Sequence, residues 1–201
     1  MSWDEVAALA AAAQPKHHAR NSTRTKDAPS KQDYETPRDL LDACAERFGP
    51  LAVDLACTLE NKKAPVALAY PAVDSLTVPW AELFGECVCW LNPPFSRIEP
   101  WAAKCREEGE RMGRGLILLL TPASVGANWF VDHVHGHALV LPLVPRLTFV
   151  GASDPYPKDC MISVFGRNVP IVAPQSELFP SPVILRPGFE PWRWKKVAAA
   201  A

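Results

Sequence analysis

Four consecutive residues, Asn92-Pro93-Pro94-Phe95, carry the groups in this sequence that are best suited to binding chemistry. The Asn92 side chain offers one acceptor and two donors, and the carbonyls around the prolines are acceptors with no competing donor beside them. Phe95 adds a flat apolar ring. Acceptors next to a ring predict a receptor for a planar group with an exocyclic NH₂, although Asn-Pro-Pro also occurs as an ordinary turn.

The element that must position these residues is a strand. The apolar run 88–91 predicts a buried strand, and it stops at Pro93 because proline lacks the N–H that a sheet ladder requires. Residues that precede proline are biased toward extended geometry, so Asn92 is presented at the carboxyl end of that strand. Open α/β sheets keep their ligand crevice at this end.

A second predicted strand, 51–57, contains the acid Asp54 and ends with the small residues Ala56 and Cys57. Such a strand end is typical of a nucleotide-type cofactor site, and an ordinary strand that runs into a surface turn fits it equally well. The GxGxxG pattern of dinucleotide-binding proteins is absent from this stretch.

The segment Tyr34-Glu35-Thr36-Pro37 predicts a loop that leads into a helix. Thr36 is the expected N-cap, Pro37 the first helical residue and Asp39 the acid of a capping box, and Gly49 is expected to end the helix. A loop at a helix N-terminus suits a carboxylate, although a capped helix without a ligand is the plainer interpretation.

The rest of the chain alternates between strand and helix patterns. The predicted elements are a short strand at 66–70, a helix at 99–111, a buried strand at 116–120, a helix at 128–133, a strand at 137–144 and a hairpin of 147–150 with 160–165. Together they predict an α/β fold with a three-layer, mostly parallel sheet that closes on an antiparallel C-terminal hairpin.

Composition indicates one globular domain, predicted at 32–170, between a disordered basic N-terminal arm at 1–31 and a proline-rich C-terminal extension at 171–201. The net charge is −1, so contact with nucleic acid must come from a local patch; the arm is either such a contact or a solvated tail.

Six cysteines without a CxxC pair favour buried free thiols in a reducing compartment. No apolar run approaches the ~20 residues of a membrane span, and the N-terminal alanine tract lacks the basic start of a secretory signal, so a cytoplasmic protein is expected.

Two further groups of residues, three histidines and two C-terminal tryptophans, have more than one possible interpretation. The segment 132–137 has three alternating histidines but no carboxylate or cysteine at the usual ligand spacing, so a surface turn is favoured and no metal is predicted. Trp192 and Trp194 lie beside basic residues, and they either contact nucleic acid or pack back on the domain.

Several separated segments together resemble the small phage-type DNA N6-adenine methyltransferases, the Dam-like family. The resemblance covers roughly 33–166, with order and spacing both matching. It rests on Tyr34-Glu35-Thr36-Pro37, Val53-Asp54-Leu55-Ala56-Cys57, Asn61, Asp74-Ser75-Leu76 with Trp80, Trp90-Leu91-Asn92-Pro93-Pro94-Phe95-Ser96, Trp101 with Lys104, and Arg146-Leu147-Thr148-Phe149. It implies a Rossmann-like fold that depends on S-adenosylmethionine, and a DNA substrate.

The resemblance also implies roles for individual residues. The catalytic residues would be Asn92, Pro93, Pro94 and Phe95, and the cofactor-binding residues Tyr34, Thr36, Pro37, Asp54, Ala56, Cys57, Asp74, Ser75 and Leu76. Asp74 would accept a hydrogen bond from the cofactor's adenine amino group, and Leu76 would pack against that ring. A flipped-out adenine would stack on Phe95 and donate to the Asn92 amide oxygen and the Pro93 carbonyl. Arg146 and Lys158 would contact DNA, or they are solvated charges.

The chain departs from the family pattern at three positions. Ala56-Cys57 stands where a glycine usually follows the acid, Glu60 is the only nearby candidate for a ribose-binding acid, and Phe95 replaces the commoner tyrosine. Cytosine N4, an RNA base or a protein glutamine remain alternative targets, and Asn92 favours adenine or glutamine because cytosine-N4 enzymes more often carry serine there. A degenerate nucleic-acid-binding module without activity also remains open.

Overall fold

A seven-stranded sheet forms the centre of the computed structural model, which describes residues 35–167 and 188–195. The strands are β1 (Leu51–Cys57), β2 (Val66–Ala69), β3 (Val88–Leu91), β4 (Leu116–Pro122), β5 (Leu139–Val144), β6 (Cys160–Phe165) and β7 (Trp192–Arg193). The helices are α1 (Arg38–Phe48), α2 (Trp80–Phe84), α3 (Glu99–Arg111) and α4 (Asn128–His133), with a 3-10 turn at Ser75–Thr77. The predicted arm at 1–31, Tyr34 and most of the predicted extension lie outside the described residues.

The strand order is β2-β1-β3-β4-β6-β5-β7. Strands β2, β1, β3 and β4 run parallel to their neighbours, β6 is antiparallel to both β4 and β5, and β7 is parallel to β5. This mixed α/β arrangement, mostly parallel with one inserted antiparallel strand, fits a methyltransferase-like α/β fold.

Both faces of the sheet are covered, which explains why its central strands read as continuous apolar runs. On one face, Ile117 and Leu119 of β4 pack with side chains from α2, α3 and α4. On the other face, Leu118 and Leu120 pack in a cluster that includes Leu40, Leu41 and Cys44 of α1. The alternation of neighbouring β4 residues between the two clusters gives the three layers that the sequence predicts.

The antiparallel hairpin consists of β5 and β6, and the prediction of a strand at 147–150 is wrong. Strand β6 lies between β4 and β5, so both of its hydrogen-bonding edges are already used. Residues 147–150 instead belong to the loop 145–159, and their backbone groups bond outside the sheet. The Leu147 carbonyl accepts from the Tyr156 N–H at 2.7 Å, and the Val150 N–H donates to the Glu35 carbonyl at 3.0 Å.

The start of α1 also differs from its prediction. Pro37 is the N-cap, no side chain caps the helix, and the Asp39 carboxylate accepts from the adjacent Leu40 N–H instead of forming a capping box. Thr36 lies one residue before this N-cap, and its hydroxyl accepts from the Asn92 amide at 3.2 Å. The predicted end is confirmed, since Gly49 has a positive φ of 101° and its N–H donates to the Ala45 carbonyl.

The described part of the C-terminal segment, 188–195, lies along the outer edge of β5. Trp192 pairs with Leu143, and the buried Trp194 donates its indole N–H to the Pro145 carbonyl at 3.0 Å. This segment therefore packs back on the domain, which was one of the two interpretations open for the tryptophans.

The six cysteines are free thiols, and all of them except the half-buried Cys87 are buried, as the sequence predicts. Among the described helices, none combines the length and apolar character needed to cross a membrane.

Candidate active site

A cavity of about 360 Å³ opens where β1 and β3 end. Residues from five separated parts of the chain line it: the loop before α1, the end of β1 with the turn that follows, the stretch 68–75, the end of β3 with the segment after it, and Trp101 of α3. The predicted site residues on its wall are Thr36, Asp54, Ala56, Cys57, Asp74, Ser75, Asn92, Pro93, Pro94 and Phe95. Parallel strands bring their carboxyl ends to one edge of the sheet, which is why residues distant in sequence meet here.

The Asn92 amide is half-buried at the end of β3, and its nitrogen donates to the Thr36 hydroxyl at 3.2 Å. Thr36 is only 2% exposed, so this bond fixes the amide against a buried partner. The amide oxygen occupies the other branch of the planar group and has two lone pairs. Pro93 is buried and Pro94 exposed, so the chain leaves the sheet directly after the amide.

The Phe95 ring is half-buried and held by two aromatic neighbours from the β5–β6 loop. Its centroid lies 6.1 Å from that of Phe149 and 5.9 Å from that of Tyr156, both in edge-on orientations. Phe149 and Tyr156 also contact each other at 5.5 Å. Both contacts are T-shaped, with the edge of one ring against the face of the other, and together they restrict the Phe95 ring to one orientation.

Asp54 organises the turn that follows β1. One of its carboxylate oxygens accepts from the Ala56 N–H at 3.2 Å, and the other accepts from the Lys63 N–H at 2.8 Å. Burial raises the pKa of Asp54 above its ordinary value, against the opposing effect of these two donors and of the Lys63 charge. Within the turn, the Asn61 amide oxygen accepts from the Thr58 N–H at 2.7 Å.

Asp74 and Ser75 form the wall opposite this turn. The exposed Asp74 begins the 3-10 turn, and its carboxylate accepts from the Leu76 N–H at 3.1 Å. Ser75 is buried, and both its carbonyl and its hydroxyl accept from the indole N–H of Trp80, at 2.9 and 3.2 Å. Leu76 is half-buried and does not line the cavity, whereas the aliphatic side chains of Leu68 and Val73 do.

Among the other predicted site residues, Pro37, Arg146 and Lys158 do not line the cavity. Pro37 is the N-cap of α1, and Tyr34 lies outside the described residues. Arg146 and Lys158 are exposed on the β5–β6 loop, where the Arg146 guanidinium donates to the Asp159 carboxylate at 2.7 Å. The same loop carries Phe149 and Tyr156, so these charges belong to the element that contacts Phe95.

Sequence reasoning missed two charged residues on the cavity wall, Glu35 and Lys63, which form an ion pair. Glu35 lies in the segment 34–37, for which the sequence predicts a site, but its own position predicts no separate role. Lys63 lies in a stretch without periodicity, so no pattern signalled it, and it reaches the cavity because Asp54 holds its backbone. Trp101 of α3 also lines the cavity and stacks on Trp80, with 6.3 Å between the ring centroids.

Two further observations concern metal binding and the cavity cysteine. Within 35–167 and 188–195, no group of three or more histidine, cysteine, aspartate or glutamate side chains is arranged to hold a metal ion. Burial raises the pKa of the Cys57 thiol to about 12, so this cavity residue is a neutral thiol near pH 7.

Comparison with known proteins agrees with the geometry. Residues 22–162 match the family model described as DNA N-6-adenine-methyltransferase (Dam). A DNA N-6-adenine-methyltransferase of Escherichia phage T1 is 28% identical over 126 residues, which cover 63% of this chain and 50% of that relative, so the matched region spans about half the relative's length. No solved structure gives a significant match. Because the family model matches well over half of its residues, the chain belongs to the DNA N-6-adenine-methyltransferase (Dam) family.

Proposed function

We propose that this chain transfers a methyl group from S-adenosylmethionine to N6 of a flipped-out adenine in DNA, on a Rossmann-like methyltransferase fold. The observation that carries the proposal is the shared cavity, whose wall includes both the Asn92-Pro93-Pro94-Phe95 segment and the residues expected to hold the cofactor. Family membership and the similarity to the phage T1 DNA N-6-adenine-methyltransferase support the same reaction.

The residues present fit S-adenosylmethionine, which supplies an electrophilic methyl group when bound. A cavity of about 360 Å³ lies within the ~300–1,000 Å³ range of small-molecule sites. The Asp74 carboxylate can accept from an adenine amino group, and the turn after β1, which lines the cavity, offers a place for the methionine part. Leu68 and Val73, which line the cavity, would pack against the adenine ring in place of Leu76.

The chain's own part in the reaction is to bind and orient the target amino group. The Asn92 amide oxygen and the Pro93 carbonyl would accept hydrogen bonds from its two N–H groups, which takes the nitrogen lone pair out of conjugation with the ring and makes it nucleophilic. The new N–C bond would form as the C–S bond of the donor breaks, and the amino group would then lose one proton to solvent. The bond from the Asn92 nitrogen to Thr36 supports this role, because it turns the nitrogen end of the amide toward the protein. No covalent nucleophile is needed, and the neutral Cys57 thiol is unsuited to be one.

Phe95 would stack on the extruded adenine. Flipping a base out of the duplex costs a few kcal/mol, and stacking on an aromatic ring recovers about 1–3 kcal/mol. The contacts with Phe149 and Tyr156 favour this role, since they hold the ring in one orientation on the cavity wall. Arg146 and Lys158, on the loop that supplies this support, are the first candidates for phosphate contact.

Product identification tests the proposal directly. The protein is incubated with unmethylated DNA and S-adenosylmethionine, the DNA is digested to nucleosides, and methylated nucleosides are separated by liquid chromatography and mass spectrometry. N6-methyladenine is the expected product. N4-methylcytosine would assign the chemistry to cytosine, and methylation of RNA or of a protein glutamine with unmodified DNA would contradict the proposed substrate.

Cofactor titration separates an enzyme from a degenerate binding module, which the altered end of β1 leaves conceivable. Calorimetric titration with S-adenosylhomocysteine should give a saturable one-site isotherm. A protein that binds DNA but neither this compound nor S-adenosylmethionine would be a relic without activity.

A further inference from the structure

The Glu35–Lys63 ion pair on the cavity wall has no part in the reaction proposed above. The Lys63 ammonium contacts the Glu35 carboxylate, and their side chains are 16% and 46% exposed, respectively. A lysine side chain that is mostly withdrawn from water needs a compensating partner, because an unpaired buried charge is costly. The pair thus holds two opposite charges side by side at the edge of a ligand-sized cavity.

The backbone of each partner is fixed independently of the ion pair. The Lys63 N–H donates to the Asp54 carboxylate at 2.8 Å, which attaches this residue to the end of β1. The Glu35 carbonyl accepts from the Val150 N–H at 3.0 Å, which attaches it to the β5–β6 loop. If the two side chains separated, the backbone of each residue would still keep these hydrogen bonds.

A ligand that carries both a carboxylate and an ammonium group is the chemical match for such a pair. Each protein charge can exchange its partner for the opposite charge of the ligand, so no charge is left unpaired during binding. A simple anion such as phosphate would gain Lys63 but meet the like charge of Glu35. An α-amino acid group satisfies both side chains at once.

We propose that Glu35 and Lys63 form the subsite for the α-amino-acid end of the methyl donor, with Lys63 Nζ binding its carboxylate and the Glu35 carboxylate binding its ammonium. The inference rests on the proposed function and names which side chains hold the methionine part. Asp54 is then a positioning residue, because its two oxygens are bonded to backbone N–H groups and it acts by holding Lys63 in place.

Three ligands that differ only in this end allow a test by titration calorimetry. S-adenosylhomocysteine has both charged groups, its decarboxylated analogue keeps only the amine, and methylthioadenosine has neither. The Lys63→Met change should weaken S-adenosylhomocysteine about 10- to 100-fold and leave methylthioadenosine unchanged. It should not weaken the decarboxylated analogue, which has no carboxylate for Lys63 and no longer has to displace it from Glu35. The Glu35→Gln change should weaken S-adenosylhomocysteine and the decarboxylated analogue while sparing methylthioadenosine.

A matched ion pair elsewhere provides the control. Arg114 and Glu86 form an exposed pair with a 2.8 Å contact, and they precede β4 and β3, at the opposite edge of the sheet. Arg114→Met and Glu86→Gln should leave all three affinities unchanged.

The outcomes separate this inference from the proposed function. If wild-type protein binds the ligands but Lys63→Met weakens all three equally, or none of them, the pair only shapes the wall and the inference is wrong. If wild-type protein binds neither S-adenosylhomocysteine nor methylthioadenosine, the proposed cofactor itself is wrong, and the inference fails with it.

Discussion

At the scale of single residues, the orientation of the Phe95 ring is set by its aromatic neighbours. The ring makes T-shaped contacts with Phe149 and Tyr156, at interplanar angles of 64° and 65°. Aromatic pairs of this kind are worth about 0.5–1.5 kcal/mol beyond the area they bury, enough to favour one ring orientation. The family's commoner tyrosine would add a hydroxyl, so the ring itself is the part that both residues share.

We expect Phe95→Leu to lower kcat/KM for a DNA substrate about 10- to 100-fold, because an aliphatic side chain loses base stacking worth about 1–3 kcal/mol. Phe95→Tyr is the matched control and should retain most of the activity. Steady-state methyl transfer to a duplex oligonucleotide measures both. Equal activity of the leucine and tyrosine variants would show that the ring does not stack on the base.

The Cys57 thiol should react slowly with alkylating reagents. Because burial raises its pKa to about 12, the thiolate fraction at pH 8 is on the order of one in ten thousand, and the rate should still be rising at pH 10. Free cysteine, with a pKa of about 8.5, levels off in the same range and serves as the reference. Mass spectrometry of the Cys57 peptide after timed iodoacetamide treatment gives the rate, and a plateau near pH 9 would contradict the assigned pKa.

At the scale of elements, a buried ion pair holds α3 against α2 beneath the cavity. The Glu108 carboxylate accepts from the Lys104 ammonium at 3.0 Å and from the Ala81 N–H at 2.7 Å, so it connects both helices. Lys104 also lies 4.9 Å from the centre of the Trp80 ring, and Trp80 bonds to Ser75 on the cavity wall. This network links the packing of α3 to the cavity wall.

Glu108→Gln should lower the free energy of unfolding by about 3 kcal/mol, because it leaves the largely buried Lys104 charge without its partner. Glu107→Gln, on the exposed face of the same helix, should change it by less than about 1 kcal/mol, since exposed pairs contribute little. Urea denaturation followed by circular dichroism measures both variants. A similar small loss for the two would mean that the buried pair does not stabilise the helix packing.

Elements with a strong local pattern could be predicted, and those that depend on distant partners could not. The boundaries of β1, α3 and α4 follow from apolar periodicity and end signals, and the structure has them as predicted. Residues 147–150 have a strand-like pattern, yet they form a loop because β6 already has a partner on each edge. The pattern of residues 147–150 alone does not show that both edges of β6 are taken by other strands.

The same distinction applies inside the cavity. Asn92 and Phe95 could be found because proline chemistry marks the end of β3. The role of Thr36 could not, since a hydroxyl before a helix predicts a cap and only the folded chain brings Asn92 to it. Lys63 was equally hidden, because its position depends on a hydrogen bond to Asp54, nine residues earlier.

For the whole molecule, the net charge of −1 means that the proposed attraction to DNA must come from a local patch. Arg146→Ala should reduce the slope of log K against log salt concentration by about 0.9, the loss of one phosphate contact. Arg114→Ala is the control, because Arg114 is also an exposed arginine paired with an acid but precedes β4 instead of following β5. Fluorescence anisotropy at several salt concentrations gives the slopes, and equal slopes for wild type and Arg146→Ala would exclude Arg146 from the interface.

The α/β fold class of the whole molecule could be predicted, because alternating strand and helix patterns permit few arrangements. The insertion of β6 between β4 and β5, and the pairing of β7 with β5, required the folded chain. Both features involve contacts across long sequence separations, which residue patterns do not specify.

The most direct test of the account compares single-turnover methyl transfer by wild type, Asn92→Asp and Asn92→Ala, with cofactor affinity measured on each protein. Asn92→Asp keeps an oxygen acceptor and should retain part of the rate. Asn92→Ala removes the acceptor for the target amino group and should lose transfer on the order of 100-fold or more while cofactor binding largely survives. Near-normal transfer by Asn92→Ala would contradict the central claim that the amide at the end of β3 orients the reacting nitrogen.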